Sequence, residues 1–243
     1  MMIEAVRALQ ADPTTRVLLL VSKPPAPDVA ARVLEQLQAG DKPTVVCFLG
    51  GKKKAVVKAG ALPANNLEKA ALVAGELAQG ADPDAALKKL KKRNKQLKQQ
   101  AKELKTKLSK GQTYFRGLFS GGTFCYETQL ILAKMLGEGV VNSNAPLDKA
   151  NRLADSNVSE GHTAVDLGED EFTVGRLHPM LDPTLRNRRI LQEAQDPKTA
   201  VIYLDVVLGY GVHPDPAGAA VEAITEARLL LKEDKREVLF IAQ

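Results

Sequence analysis

The chain has 243 residues, of which 44% are hydrophobic, 26% charged and only 4% aromatic, and its net charge is +5. That balance excludes a disordered chain, a collagen-like repeat and a disulfide-stapled miniprotein. No run approaches the roughly 18 apolar residues of a membrane span, and the opening residues Met1–Ala5 carry no export signal, so the reading is cytoplasmic with no membrane partner.

Residues 1–80 read as a first parallel α/β domain. A short opening helix passes through Asp12-Pro13 into the apolar run Val17–Val21. A Pro-rich loop, the helical pattern Val29–Leu34 and the run Val45–Leu49 follow. Continuous β-branched runs of this kind suit strands covered on both faces, and the helix between them implies a right-handed crossover. Cys47 in the second run, like Cys125 later, reads as a buried thiol in a reducing compartment. After Leu49 stand Gly50 and Gly51 followed by Lys52, Lys53 and Lys54. The glycines let backbone approach an anion and the lysines attract one; the competing reading is a solvated basic turn.

Residues 81–111 form a lysine-rich linker. Residues 81–110 hold eleven Lys or Arg against Asp82, Asp84 and Glu103, so the rest of the chain is slightly acidic. Leu87, Leu90, Asn94, Leu97, Ala101, Leu104 and Leu108 step by three and four, which predicts a long helix with a heptad seam. Three readings stand open: a linker helix packed on a domain, a self-pairing coiled coil, or a surface for nucleic acid. The last is the weakest, because lysine without interleaved aromatics offers only salt-sensitive phosphate attraction.

Residues 112–243 read as a second domain of the same kind. In open α/β sheets ligands sit beyond the carboxyl ends of the strands. Ser120, Gly121, Gly122 and Thr123 lie between a strand and the helical stretch Phe124–Leu136, and predict an anion cradle of free N–H groups; a plain turn capped by Thr123 is the alternative. The string Gly175–Arg186 supplies Arg176 and Arg186 as anion ligands, His178 as a candidate for proton transfer or transient phosphorylation, and Asp182 as a helix cap. Asp205, in an apolar strand, should hydrogen-bond to a loop or to an arginine, and Arg176 is a candidate. His213 lies in the loop that follows. With His162 and His178 it is too scattered to imply a metal, and no bound cofactor is indicated by motif.

The two ends of the chain repeat one another. Asp12-Pro13 and Asp196-Pro197 each lead into an apolar run, a Pro-rich loop, a helix and a second apolar run. That order predicts a duplicated unit. The fold class is therefore α/β, with two tandem flavodoxin-like parallel-sheet domains joined by a long basic helix. Gln243 directly follows a strand, so both ends read as cut from a longer arrangement.

Three strings carry a resemblance: Arg116–Glu127 (RGLFSGGTFCYE), Gly175–Pro183 (GRLHPMLDP) and Leu204–Ala217 (LDVVLGYGVHPDPA). Over residues 112–243 the chain resembles the FdrA family of succinyl-CoA synthetase relatives, and residues 1–80 resemble the ligase domain that follows the CoA-binding domain there. The resemblance implies CoA-ligase-type domains, an acyl-CoA synthetase component and a small anionic substrate, with CoA or carbamoyl phosphate as candidates. A carbamoyl-transfer role in purine or allantoin breakdown is also implied. So are partner subunits or a homo-oligomer, and with them the alternative of a noncatalytic assembly subunit. This stretch departs from the family in three respects. It holds no Rossmann CoA-binding domain and no ATP-grasp domain, and Gly50–Leu62 has lysines where the synthetases carry their phosphohistidine. A complete thiokinase cycle is thus not expected from these residues alone.

Overall fold

A computed structural model describes residues 1–243. The chain forms two compact units, Met1–Gln100 and Ala101–Gln243. Each holds its own parallel sheet, three-stranded in the first and five-stranded in the second.

The first unit runs α1 (Met2–Ala11), β1 (Leu18–Ser22), α2 (Pro27–Gln38), β2 (Thr44–Phe48), α3 (Lys53–Lys58), β3 (Leu62–Pro63) and α4 (Leu67–Ala78). Its strands pair in parallel in the order β1-β2-β3. All five residues of β2 are buried, as an apolar run in mid-sheet should be. The edge strand β1 departs from the two-faced burial expected of it. Leu18 and Leu20 join the core with Val33, Leu34 and Leu37 of α2, whereas Leu19 and Val21 remain exposed on the other face. Asp12 ends α1 and holds the turn into β1 by accepting the Thr14 N–H at 3.0 Å and the Thr15 hydroxyl at 2.6 Å. These hydrogen bonds, led by that from Thr15, hold its carboxyl down at about 2.

The basic helix α5 (Pro83–Lys105) starts behind Asp82, whose carboxylate accepts the Asp84 N–H at 2.8 Å. Its first turns pack against α4. Ala86 and Leu90 are buried there, Arg93 pairs with Glu68 at 3.0 Å, and Lys89 pairs with Glu76. The leucine seam is not packed along its length: residues 91–107 are all exposed, Leu97 and Leu104 among them, and Leu108 falls in the turn beyond the helix.

The second unit comprises β4 (Tyr114–Phe119), α6 (Gly122–Leu136), β5 (Val141–Ser143), β6 (His162–Asp166), α7 (Asp170–Thr173), α8 (Thr184–Gln195), β7 (Thr199–Leu204), α9 (Pro216–Glu233) and β8 (Leu239–Ala242). The order is β5-β6-β4-β7-β8, every pair parallel, with the first strand in the middle. Leu118, Val165, Ile202 and Leu204 of the strands form the core with Ile190 of α8 and Ala220, Ala223 and Ala227 of α9. Alanine at those three positions lets α9 lie close to the sheet and to α8. The sequence α8-β7-α9-β8 matches α1-β1-α2-β2, each with Asp-Pro between helix and strand, so the duplication read in the sequence holds in the order of elements.

Topology places the ligand-binding rim of the second unit. From β4 the chain moves through α6 toward β5 on one side; from β7 it moves through α9 to β8 on the other. Where neighbouring strands send their connections in opposite directions, a crevice opens at their carboxyl ends. That point lies between β4 and β7, beyond Phe119 and Leu204.

Candidate active site at the β4–β7 crevice

Ser120 and Gly121 follow β4, and Asp205 follows β7. The Asp205 carboxylate closes the crevice by accepting the Ser120 N–H and the Gly121 N–H, each at 2.8 Å. This corrects the expectation of four free donors, since half of the cradle is already filled by a carboxylate of the protein itself. The reason is the burial of Asp205, which leaves an acceptor that must be satisfied.

Its charge partner is Arg186, not Arg176. The Arg186 guanidinium lies 3.5 Å from the Asp205 carboxylate and donates to the Ser120 hydroxyl at 2.9 Å and to the Asp205 carbonyl at 2.7 Å. Burial lowers its pKa, and the charge of Asp205 opposes that shift. Arg186 is therefore a buried brace beneath the loop and not an anion ligand. Arg176 is exposed, and its guanidinium makes no hydrogen bond or ion pair. It is the arginine at this loop left available to a ligand.

The donors that remain open belong to α6. This helix begins at Gly122 with Gly121 as its N-cap, so Thr123 is a helical residue and not the cap. No side chain caps it. The N–H groups of Gly122 and Thr123 have no partner, and both residues are half-buried. A 15-residue helix directs the positive end of its dipole to this point.

His178 reaches the same place from the loop before α8. Its Nδ1 accepts the Met180 N–H at 3.2 Å, so the neutral ring carries its proton on Nε2. A Cβ added at Gly168, in the turn after β6, would stand 2.8 Å from His178 Nε2, 2.9 Å from the Ser120 carbonyl and 3.2 Å from Asp166 Oδ1. The glycine thus permits the turns after β4 and β6 to meet the histidine. Sequence reasoning passed over Gly168 and Asp166. The one signal was a glycine two residues beyond an apolar strand ending in a carboxylate.

The remaining residues support the loops. Asp182 accepts the Thr184 N–H at 3.0 Å and its hydroxyl at 2.5 Å, bonds that lower its pKa. The helix starts at Thr184, one position later than Pro183 would give. The His213 N–H donates to the Met180 carbonyl at 2.7 Å, tying the loop after β7 to the loop that carries His178. Gly50 and Gly51 lie in the first unit. There Gly50 has φ 72°, and the Gly51 N–H donates to the Phe48 carbonyl at 2.8 Å. The following helix α3 has only six residues, too short for much of a dipole. No group of three or more His, Cys, Asp or Glu side chains is placed to hold a metal, and no helix is long and apolar enough to cross a membrane.

The stretch that builds this crevice, residues 118–243, matches the CoA-ligase family. The chain belongs to that family. The CoA-ligase match begins at Leu118 in β4 and takes in every loop of the crevice. Along its whole length the chain is 43% identical to the uncharacterized protein YahF of Escherichia coli (strain K12), over 242 residues that make up 45% of that protein. It thus spans about half the length of that relative. The crystal structure of PH0766 from Pyrococcus horikoshii OT3 aligns with 99% of this chain and 46% of its own, at 15% identity and a TM-score of 0.25.

Proposed function

We propose that this chain is the anion-binding part of an acyl-CoA synthetase of the FdrA type, related to succinyl-CoA synthetase. The observation that carries the reading is the uncapped N-terminus of α6 at the β4–β7 crevice, with the Gly122 and Thr123 N–H groups unpartnered. Two adjacent donors on a helix dipole suit a phosphate or carboxylate oxygen. The exposed Arg176, two residues from His178, adds a bidentate cation in this reading. His178, with its proton on Nε2, acts as a hydrogen-bond donor toward the bound anion. Transient phosphorylation at Nδ1 would first require loss of the Met180 contact.

The Asp205 carboxylate shapes the site by denying Ser120 and Gly121 to the ligand and leaving room for one anionic group. The substrate class is a small phosphorylated or carboxylated acyl compound, and CoA is a second candidate substrate. A carbamoyl-transfer reaction in purine or allantoin breakdown would use the same cradle for carbamoyl phosphate. Partner subunits supply the remaining chemistry in this reading.

Isothermal titration of the full chain with inorganic phosphate, carbamoyl phosphate and CoA tests it. Binding of phosphate or carbamoyl phosphate that weakens about tenfold in Arg176→Ala, the loss of one charge-assisted contact, is expected. Gly122→Val should weaken it further. Heats indistinguishable from dilution for all three compounds, or binding indifferent to both substitutions, would refute the proposal.

A further inference from the structure

The five-stranded sheet has two edges, and they differ. At β5 the outer edge is occupied: Ser143 forms a parallel bridge with Arg152, and the Leu153 N–H donates to the Ser143 carbonyl at 3.0 Å. At β8 nothing pairs with the outer edge. The Gln243 N–H donates to Leu204, and the Gln243 carbonyl accepts from Val206. By the alternation of a parallel ladder, the N–H and C=O of Phe240 and Ala242 then point away from β7. Neither residue has a partner there.

Alongside this edge runs a groove of about 680 Å³. Leu231, Val238, Phe240 and Leu104 give it an apolar floor, and Lys107, Arg228, Lys232 and Lys235 give it a cationic rim against the single acid Glu237. Arg236 also borders it, but its guanidinium is bonded to the Ala194, Gln195 and Asp196 carbonyls that end α8. The Arg228 guanidinium stands 5.8 Å from the centre of the Phe240 ring.

Lys235 is the second observation. It is the one non-glycine residue with a positive φ, 53°. It sits just past α9, where the Lys235 N–H donates to Lys232 and the Arg236 N–H to Leu231, the bond pattern of a Schellman ending. Glycine is the usual residue at such a position because a side chain is strained there. A lysine kept against that strain, on the rim of an open groove, has its use in the side chain.

From these relationships we infer that the β8 edge is a docking site for an acidic, extended segment of a partner protein, which adds a strand to the sheet. The unpartnered backbone of Phe240 and Ala242 supplies the ladder, the apolar floor takes alternate side chains, and the lysines take the carboxylates between them. A second copy of this chain is the wrong occupant, because lysines facing lysines would repel. Nucleic acid is also a poor fit, since the floor's one aromatic ring, Phe240, already has the Arg228 guanidinium against it and the rest of the floor is aliphatic. The site is independent of the crevice proposed above to bind small anions.

Fluorescence anisotropy on the full chain tests this with a labelled octapeptide of alternating Glu and Val. Saturable binding that weakens as salt rises is expected. The same peptide N-methylated on alternate amides should lose at least about tenfold in affinity with no change to the protein, the signature of a backbone ladder. Lys235→Gly should melt at a higher temperature, its strain relieved, and yet bind the peptide more weakly. Failure of the peptide to bind, equal binding of the N-methylated form, or a Lys235→Gly variant that binds undiminished would overturn the inference. So would preferred binding of an oligothymidylate of equal charge, or concentration-dependent self-association abolished by a substitution in β8.

Discussion

Asp205, at the end of β7, accepts the backbone N–H of Ser120, at the end of β4, across the crevice of the sheet at 2.8 Å. The same carboxylate is the charge partner of the buried Arg186. One side chain therefore satisfies two backbone donors and a guanidinium, and Ser120, Arg186 and Asp205 itself lie out of water.

Removing that carboxylate should be costly. Asp205→Ala leaves Arg186 buried without its counter-charge and strands the Ser120 and Gly121 N–H groups, a loss of about 3–5 kcal/mol. Asp205→Asn, which keeps an acceptor but not the charge, should lose less. Urea unfolding of the two variants measures the order. Phosphate should raise the melting temperature of Asp205→Ala more than that of the parent, because the freed donors can take an anion oxygen.

Gly168 is the point at which His178 and Ser120 share space. A methyl group there would stand 2.9 Å from the Ser120 carbonyl, which belongs to the backbone and cannot swing aside. Gly168→Ala should cost about 1–3 kcal/mol, as overpacking does. It should also move the His178 ring resonances in a proton–nitrogen spectrum while leaving those of His162 in place. An unshifted His178 would show that the ring does not contact this turn.

Strands β1, β2, β4, β7 and β8 were legible because apolar runs between helices have few other uses, and their ends gave the candidate loops. The duplicated Asp-Pro units could be read for the same reason. The short β3 and β5, and β6 with its polar ends, carry no such run. What lay hidden was which arginine turns inward. Arg176 and Arg186 stand ten residues apart in one string, and Asp205 could pair with either on sequence grounds. The inward face of α8 is Arg186, Arg189, Ile190, Glu193 and Ala194. That spacing is an amphipathic stripe, but its members are mostly charged, so hydrophobic periodicity looks straight past it. Arg116 was missed although it is a lone charge in an apolar strand, the same sign that singled out Asp205. The exposed leucines of α5 show the opposite failure: a regular seam in sequence need not be buried within the chain that carries it.

The charged core of the second unit gives a third prediction. Glu193 lies between two buried arginines, 2.8 Å from Arg116 Nε and 2.6 Å from Arg189 Nε, and accepts the Ser159 hydroxyl at 2.6 Å. Arg116 pairs also with Asp196 at 2.6 Å and lies 5.0 Å from the centre of the Tyr114 ring. Glu193→Ala would leave two guanidinium groups sharing one buried pocket with too little negative charge, at a cost of about 3–5 kcal/mol. Deleting Arg189 together with Glu193 should cost less than the two single substitutions combined, since the pair is coupled. A double-mutant cycle by urea unfolding reads that coupling; strict additivity would show that Glu193 serves Arg116 alone.

His162 sets a pH dependence with a definite sign. Its pKa is lowered from 6.5, first by burial and then by the charge of Arg116. Its Nδ1 accepts the Phe115 N–H at 3.2 Å, a bond that the protonated ring cannot keep. The unfolded chain therefore binds a proton here at a higher pH than the folded one does, and stability rises with pH in that interval. The contribution is complete above about 6.5, the ordinary histidine value, and is lost as the pH falls through the lower folded value. Urea unfolding between pH 8 and pH 5 should show stability declining on the acid side before the carboxylates titrate. His162→Gln should flatten that part of the curve and leave the steeper loss at lower pH in place. A slope unchanged in the variant would assign the titration to another group.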